Sequence, residues 1–103
     1  MRRGEIRVIR SRVTGRDQHA LIISNDALNQ SESAGWAITA PVDTSGASPG
    51  ILVTVTITAP IQGVIRLDSV TSVRKDRVGE LAGRIDPEIM ETVVIALRAA
   101  LDL

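Results

Sequence analysis

The chain has no cysteine, tyrosine or phenylalanine, a single tryptophan (Trp36) and a single histidine (His19). Without cysteine there are no disulfides and no thiolate metal sites, and one histidine cannot assemble a zinc centre, so neither a metal nor a cofactor is expected. Stacking unpaired bases on aromatic side chains, the usual grip on single-stranded nucleic acid, is nearly unavailable with one ring. No apolar run approaches the roughly 20 residues that span a bilayer. The opening MRRGEIRV lacks the apolar core of a signal peptide. The expectation is a cytoplasmic protein that makes no use of a membrane.

What is present is aliphatic. Of the 103 residues 44% are hydrophobic, so Val, Ile, Leu and Ala must build the core, with Trp36 filling the core or a dimer contact. That length suits one domain, 1–103, with a single core. The net charge is zero but unevenly laid out. Residues 1–16 carry six arginines (Arg2, Arg3, Arg7, Arg10, Arg12 and Arg16) against Glu5, while residues 17–72 carry five acids against Arg66. Such a local excess attracts phosphate even on a neutral molecule, or forms the solvated face of a first strand.

Residues 5–10, EIRVIR, alternate as a half-buried strand should. ALIIS, 20–24, is apolar on both faces and too short for a helix, which marks a central strand. The polar segment NDALNQSESAG allows one helical turn begun by Ser24 or Asn25. WAITAPV (36–42), ILVTVTIT (51–58) and GVIRLDS (63–69) give three further strands, with DTSGASPG (43–50) a loop. In ILVTVTIT, Thr54, Thr56 and Thr58 form a hydroxyl face opposite Val53, Val55 and Ile57. The mixed-charge segment after residue 70 suggests a short helix near 75–81, and RKDR (74–77) a solvated surface. Asp86 as cap and Pro87 at the first position begin a terminal helix whose Ile89, Met90, Val93, Val94, Leu97 and Leu101 share one face. The sum is a small α+β domain whose sheet curls into a partly closed barrel.

Several of these strings, in this order, resemble the MazF/PemK family of toxin endoribonucleases. RRGEI is similar to the family's first strand, ALIISNDALN to its Arg-Pro-x-Leu-Val-x-Ser-x-x-x-x-Asn second strand, and ITAPV to its third. GVIRLDSVTSVRKDRVGELAG, continuing to the C-terminus, is similar to its tail. The resemblance implies a mostly antiparallel SH3-like barrel of five to six strands with a C-terminal helix, usually a homodimer, and an antitoxin protein that occupies the RNA groove. It also implies metal-independent cleavage of single-stranded RNA, in which the ribose 2′-OH attacks the adjacent phosphate. That chemistry needs a base, an acid and cations or donors around the phosphorane.

Three matched functional positions, those of Gln18, Asp43 and Ser69, depart from the family pattern. Gln18 and His19 stand where the family has Arg-Pro, Asp43 stands where it has a threonine with Thr44 one step later, and Ser69 replaces a glutamine. The first loop is also short. One reading is a rebuilt site in which Arg16, of the same strand parity as Gln18, supplies the cation. Asp43 is then the base, His19 or Arg16 the acid, and Thr44 a phosphate donor, with Gln18, His19 and Ser69 binding substrate. Imidazole has an ordinary pKa of roughly 6.5, suited to proton transfer near neutrality. Against that stand plainer readings: Asp43 as a turn-forming aspartate and His19 as a surface residue. The competing functional reading is a fold kept for protein binding, as in gyrase-poisoning toxins of the same fold or an antitoxin-capturing relative.

Overall fold

A computed structural model describes residues 1–11, 15–46 and 53–102. Seven strands lie in it: β1 (Glu5–Ile9), β2 (Gln18–Ile22), β3 (Trp36–Asp43), β4 (Thr54–Ile57), β5 (Gly63–Arg66), β6 (Thr71–Arg74) and β7 (Val78–Arg84). The helices are α1 (Asp26–Gln30) and α2 (Pro87–Leu101). Every pairing is antiparallel, along the path β4-β5-β3-β2-β1-β7 with β6 attached to β3.

The eight-residue β3 organises this sheet. One edge pairs with β2, from His19 opposite Val42 to Ile22 opposite Thr39. The other edge is divided: β6 takes Trp36 to Thr39 and β5 takes Val42 and Asp43. Because side chains alternate along a strand, Leu21, Ala40, Val42 and Ile65 point to one side, where they join Ile6, Ile57 and Val93 in the main core. Ala20 points to the other side and joins Ile9 and Val73 in a smaller cluster. Fully burying each aliphatic side chain contributes about 1.5–3 kcal/mol, which is how a nearly ring-free core suffices.

The seven strands exceed the expected five to six because the segment after residue 70 is strand, turn and strand. Lys75–Arg77 form one 3-10 turn and Val78–Arg84 pair with β1, so the helix expected near 75–81 does not form. Charge suggested solvent and helix, but the free edge of β1 supplied ladder partners, and tertiary pairing overrode local preference. No ladder joins β4 to β7 among the described residues. The sheet is therefore not closed into the expected barrel, and Pro60, between β4 and β5, packs against β7 there. A Cβ on Gly83 of β7 would lie 2.4 Å from the Pro60 Cβ, so only glycine admits the ring.

Three polar devices hold the frame. Asn25 caps α1 through its Oδ1, which accepts the Leu28 N–H at 2.8 Å, and Lys75 Nζ donates to Leu28 O and Ser31 O at the other end. Ser24 and Asn29, the Ser and Asn of the second-strand string, are buried and bonded to each other, and Ser24 Oγ also accepts the Ile38 N–H. That motif therefore fastens α1 to β3 and lies away from the groove described below. Glu5 is buried rather than solvent-facing, and accepts from Arg2 N, Arg7 and Arg84. Burial pushes its carboxyl up, but the Arg2 N–H and the Arg7 guanidinium outweigh this and hold it below the usual glutamate value.

The terminal helix starts at Pro87 as the sequence predicts, although the Asp86 side chain makes no cap hydrogen bond. Val93 is fully buried, and Ile89, Met90 and Leu97 pack on the core, but Leu101 is exposed. Trp36 is 54% exposed, which removes it from the core. Residues 12–14 and 47–52 lie outside the described residues, and with them Arg12 and the beginning of the expected fourth strand.

Candidate active site

The ends of β2, β3 and β5 meet at one side of the sheet and leave a groove of about 480 Å³. Its first wall is the entry to β2, with Arg16, Gln18 and His19; its second is the end of β3, with Asp43 and Thr44; Arg66, at the end of β5, closes the third. Five of the six residues proposed from sequence therefore converge. Ser69 does not line the groove.

The register explains the convergence. His19 lies opposite Val42, and one further antiparallel step sets Gln18 beside Asp43. On the other edge Val42 faces Ile65 and Asp43 faces Val64. Alternation then puts Gln18, Pro41, Asp43 and Arg66 on one sheet face, with His19 on the opposite one as its parity predicts. Gly63 allows β5 to approach: a Cβ there would come 2.9 Å from Val42 Cγ1 and 3.0 Å from the Asp43 carbonyl oxygen.

Arg66 was not anticipated. One guanidinium nitrogen donates to Asp68 Oδ2 at 2.8 Å, and Ser69 Oγ donates to the same oxygen at 3.2 Å. Ser69 thus acts through Asp68, two bonds behind the groove. The Arg66 guanidinium, with the burial and the Ser69 bond weighing less, holds the Asp68 carboxyl below the ordinary aspartate value. Arg66 Nε is buried and has no hydrogen-bond partner among the described residues. Leaving such a donor unsatisfied costs on the order of 1–3 kcal/mol. The sequence signal was an arginine inside an otherwise apolar strand with an acid two residues on.

Asp43 accepts two hydrogen bonds at Oδ1, from Ser45 Oγ at 2.6 Å and from Ser45 N at 2.9 Å. The Ser45 hydroxyl first, its N–H second and the Arg66 charge last hold the Asp43 carboxyl below its ordinary value. The turn-forming role is realised here, in a residue that also faces the groove. Of the other early arginines, Arg3 donates to Ile23 O and Arg7 to Glu5 and Gly79 O, while the Arg10 backbone carbonyl accepts from Arg77 Nε. The guanidinium groups of Arg3 and Arg7 are thus bound to the frame, and Arg16 lines the groove.

A larger cavity, about 640 Å³, lies between the N-terminal segment and α2. Met90, Val94 and Ile95 form an apolar wall, with Arg3 and Arg84 on its rim. Arg84 is already turned to Glu5 and Arg3 to a carbonyl, so the groups that phosphoryl chemistry needs are in the smaller groove. No cluster of three potential metal-ligating side chains occurs among the described residues. Nor is any helix there long and apolar enough to cross a membrane.

The fold has close structural counterparts. A mycobacterial endoribonuclease in complex with its cognate antitoxin superposes with a TM-score of 0.83 at 24% identity, over 100% of this chain and 94% of that one. A second structure of an endoribonuclease from a mycobacterial species gives 0.80 at 26%, over 100% and 92%. A MazE-MazF structure from Deinococcus radiodurans gives 0.81 at 21%, over 100% and 96%. No curated protein sequence matches the chain. A family model, described as PemK-like, MazF-like toxin of type II toxin-antitoxin system, matches residues 2–101. On that near-complete match, set on the fold just described, the chain belongs to the PemK/MazF-like toxins of type II toxin-antitoxin systems.

Proposed function

We propose that this chain is a metal-independent endoribonuclease that cleaves single-stranded RNA, acting in the cytoplasm as one domain. The observation that carries the reading is the meeting of Arg16, Gln18, Asp43, Thr44 and Arg66 in one groove. Arg66 and Arg16 bring positive charge to the phosphodiester, and Thr44 adds a hydroxyl donor. Asp43 takes the proton of the ribose 2′-OH. The 2′-oxygen then attacks phosphorus, the bond to the 5′-oxygen breaks, and that oxygen leaves with a proton from the acid. The products are a 2′,3′-cyclic phosphate and a free 5′-OH. The acid is His19 or Arg16, both of which line the groove. Cationic stabilisation of the phosphorane is the largest contribution asked of the site, and Arg66 supplies it.

The partners that fit this reading are an antitoxin protein and a second copy of the chain. Both draw on the apolar wall of Met90, Val94 and Ile95, the last 68% exposed. That wall also supports the alternative in which the chain works by protein contact, on gyrase or on an antitoxin.

The experiment is incubation of folded protein with a broad panel of unstructured RNAs in EDTA, with end-group analysis. Cyclic-phosphate fragments are expected. Intact RNA across the panel, from protein whose fold is verified by circular dichroism, leaves only the protein-contact reading.

A further inference from the structure

We propose that Ser45 is a positioning residue that locks the Asp43 carboxylate so that Oδ2 alone faces the groove. The proposal rests on the nuclease reading for its consequence, but the lock itself is a property of the folded chain.

Both hydrogen bonds from Ser45 end on the same oxygen, Oδ1. An aspartate free to rotate about its terminal torsion presents either oxygen, because that torsion is broad and roughly two-fold. Two donors on one oxygen remove the equivalence. The backbone N–H fixes where Oδ1 lies, and the hydroxyl at 2.6 Å removes most of its remaining accepting capacity. Among the described residues, Oδ2 accepts no hydrogen bond, and Asp43 lines the groove. A proton leaving a 2′-OH then has one well-defined acceptor.

An aspartate beside a scissile phosphate repels it, and the arrangement reduces that repulsion. The charged groups around Asp43 are Arg66 from β5 and Arg16, Asp17 and His19 from the entry to β2. Two of these are permanent cations, and the half of the carboxylate held by Ser45 is turned to the protein's own donors. What meets the substrate is one oxygen, in a groove that Arg16 and Arg66 also line.

Two opposing effects make the proposal testable. Removing the Ser45 hydroxyl raises the Asp43 pKa, and a more basic carboxylate is intrinsically a faster base. It also loosens the aim of that carboxylate. If aim dominates, Ser45→Ala lowers kcat about tenfold at neutral pH with little change in KM, since small misplacements cost this much or more. The acid limb of the rate profile then moves to higher pH, so the deficit widens as pH falls. Ser45→Thr, which keeps the hydroxyl, restores both.

The direct measurement is the carbon-13 titration of the Asp43 carboxyl in wild type, Ser45→Ala and Ser45→Thr. An upward shift in the alanine variant, reversed in the threonine variant, is expected whether or not the protein cleaves RNA. An unmoved Asp43 titration overturns the lock, as does a kcat that rises in Ser45→Ala at neutral pH. A shifted titration in a protein that cleaves nothing retains the lock and removes the nuclease reading, so the two failures are distinguishable.

Discussion

Two concavities among the described residues are built on opposite principles. The smaller one, at the ends of β2, β3 and β5, is walled by side chains of both charges, and its donors and acceptors are held by neighbours: Arg66 by Asp68, Asp43 by Ser45. The larger one has Met90, Val94 and Ile95 on its wall, and its arginines are turned to the frame. Size therefore gives the wrong ranking for chemistry. A cavity that binds by exclusion of water needs area, whereas one that transfers protons needs a few groups held at fixed separations, and strand register delivers those.

The contrast is broken or sharpened by substitutions on either side of it. The largest expected effect is Arg66→Ala, which lowers kcat about 10²- to 10³-fold, as for loss of one charge-stabilising donor. It leaves association with a partner protein intact; single-turnover cleavage and sedimentation measure the two. Next is Val94→Asp, which places a charge on the apolar wall. It weakens self-association or antitoxin capture about tenfold, roughly 1.4 kcal/mol, while cleavage per folded molecule stays unchanged. A coupled loss of cleavage would mean that the two concavities are not separable.

Smaller effects come from the frame and the groove edge. Glu5 has its carboxyl held below the ordinary value, so its contribution to stability is present above the unfolded carboxylate's pKa, about 4.3, and fades as pH falls through the lower folded value. Glu5→Gln is expected to cost on the order of 1 kcal/mol at neutral pH and to flatten the acid side of the stability curve. Denaturant midpoints from pH 3 to 7 test this, with an unchanged acid slope as the contrary result. Smallest is Gln18→Arg, which adds a cation beside Asp43 and raises cleavage a few-fold; a decrease indicates that Gln18 itself holds substrate.

Much of this frame was legible in the sequence, for identifiable reasons. Apolar runs and alternation located β1, β2 and β3, and Pro87 with its helical periodicity located α2, because burial imposes these patterns on any chain that folds this way. The segment 70–84 was not legible: its charges resemble a solvated helix, and only the open edges of β3 and β1 make it β6 and β7. In the candidate site, Arg16, Gln18, Asp43 and Thr44 were reached through parity and resemblance. Arg66 was missed because its neighbour in the groove is 23 positions earlier, and nothing local in GVIRLDS announces that β5 will pair with the end of β3. Ser69 was placed one shell too close for the same reason, since its bond to Asp68 becomes meaningful only once Arg66 is in the groove.

The contact between Pro60 and Gly83 has an implication for how such a small body tolerates change. Hydrogen-bonded ladders spread a perturbation over several rungs, but here two chain segments touch through one ring seated against one residue without a side chain. A single added methyl at position 83 therefore has to push the ring away, and the loop that carries Pro60 keeps this contact only where an equally flat group returns to the same spot.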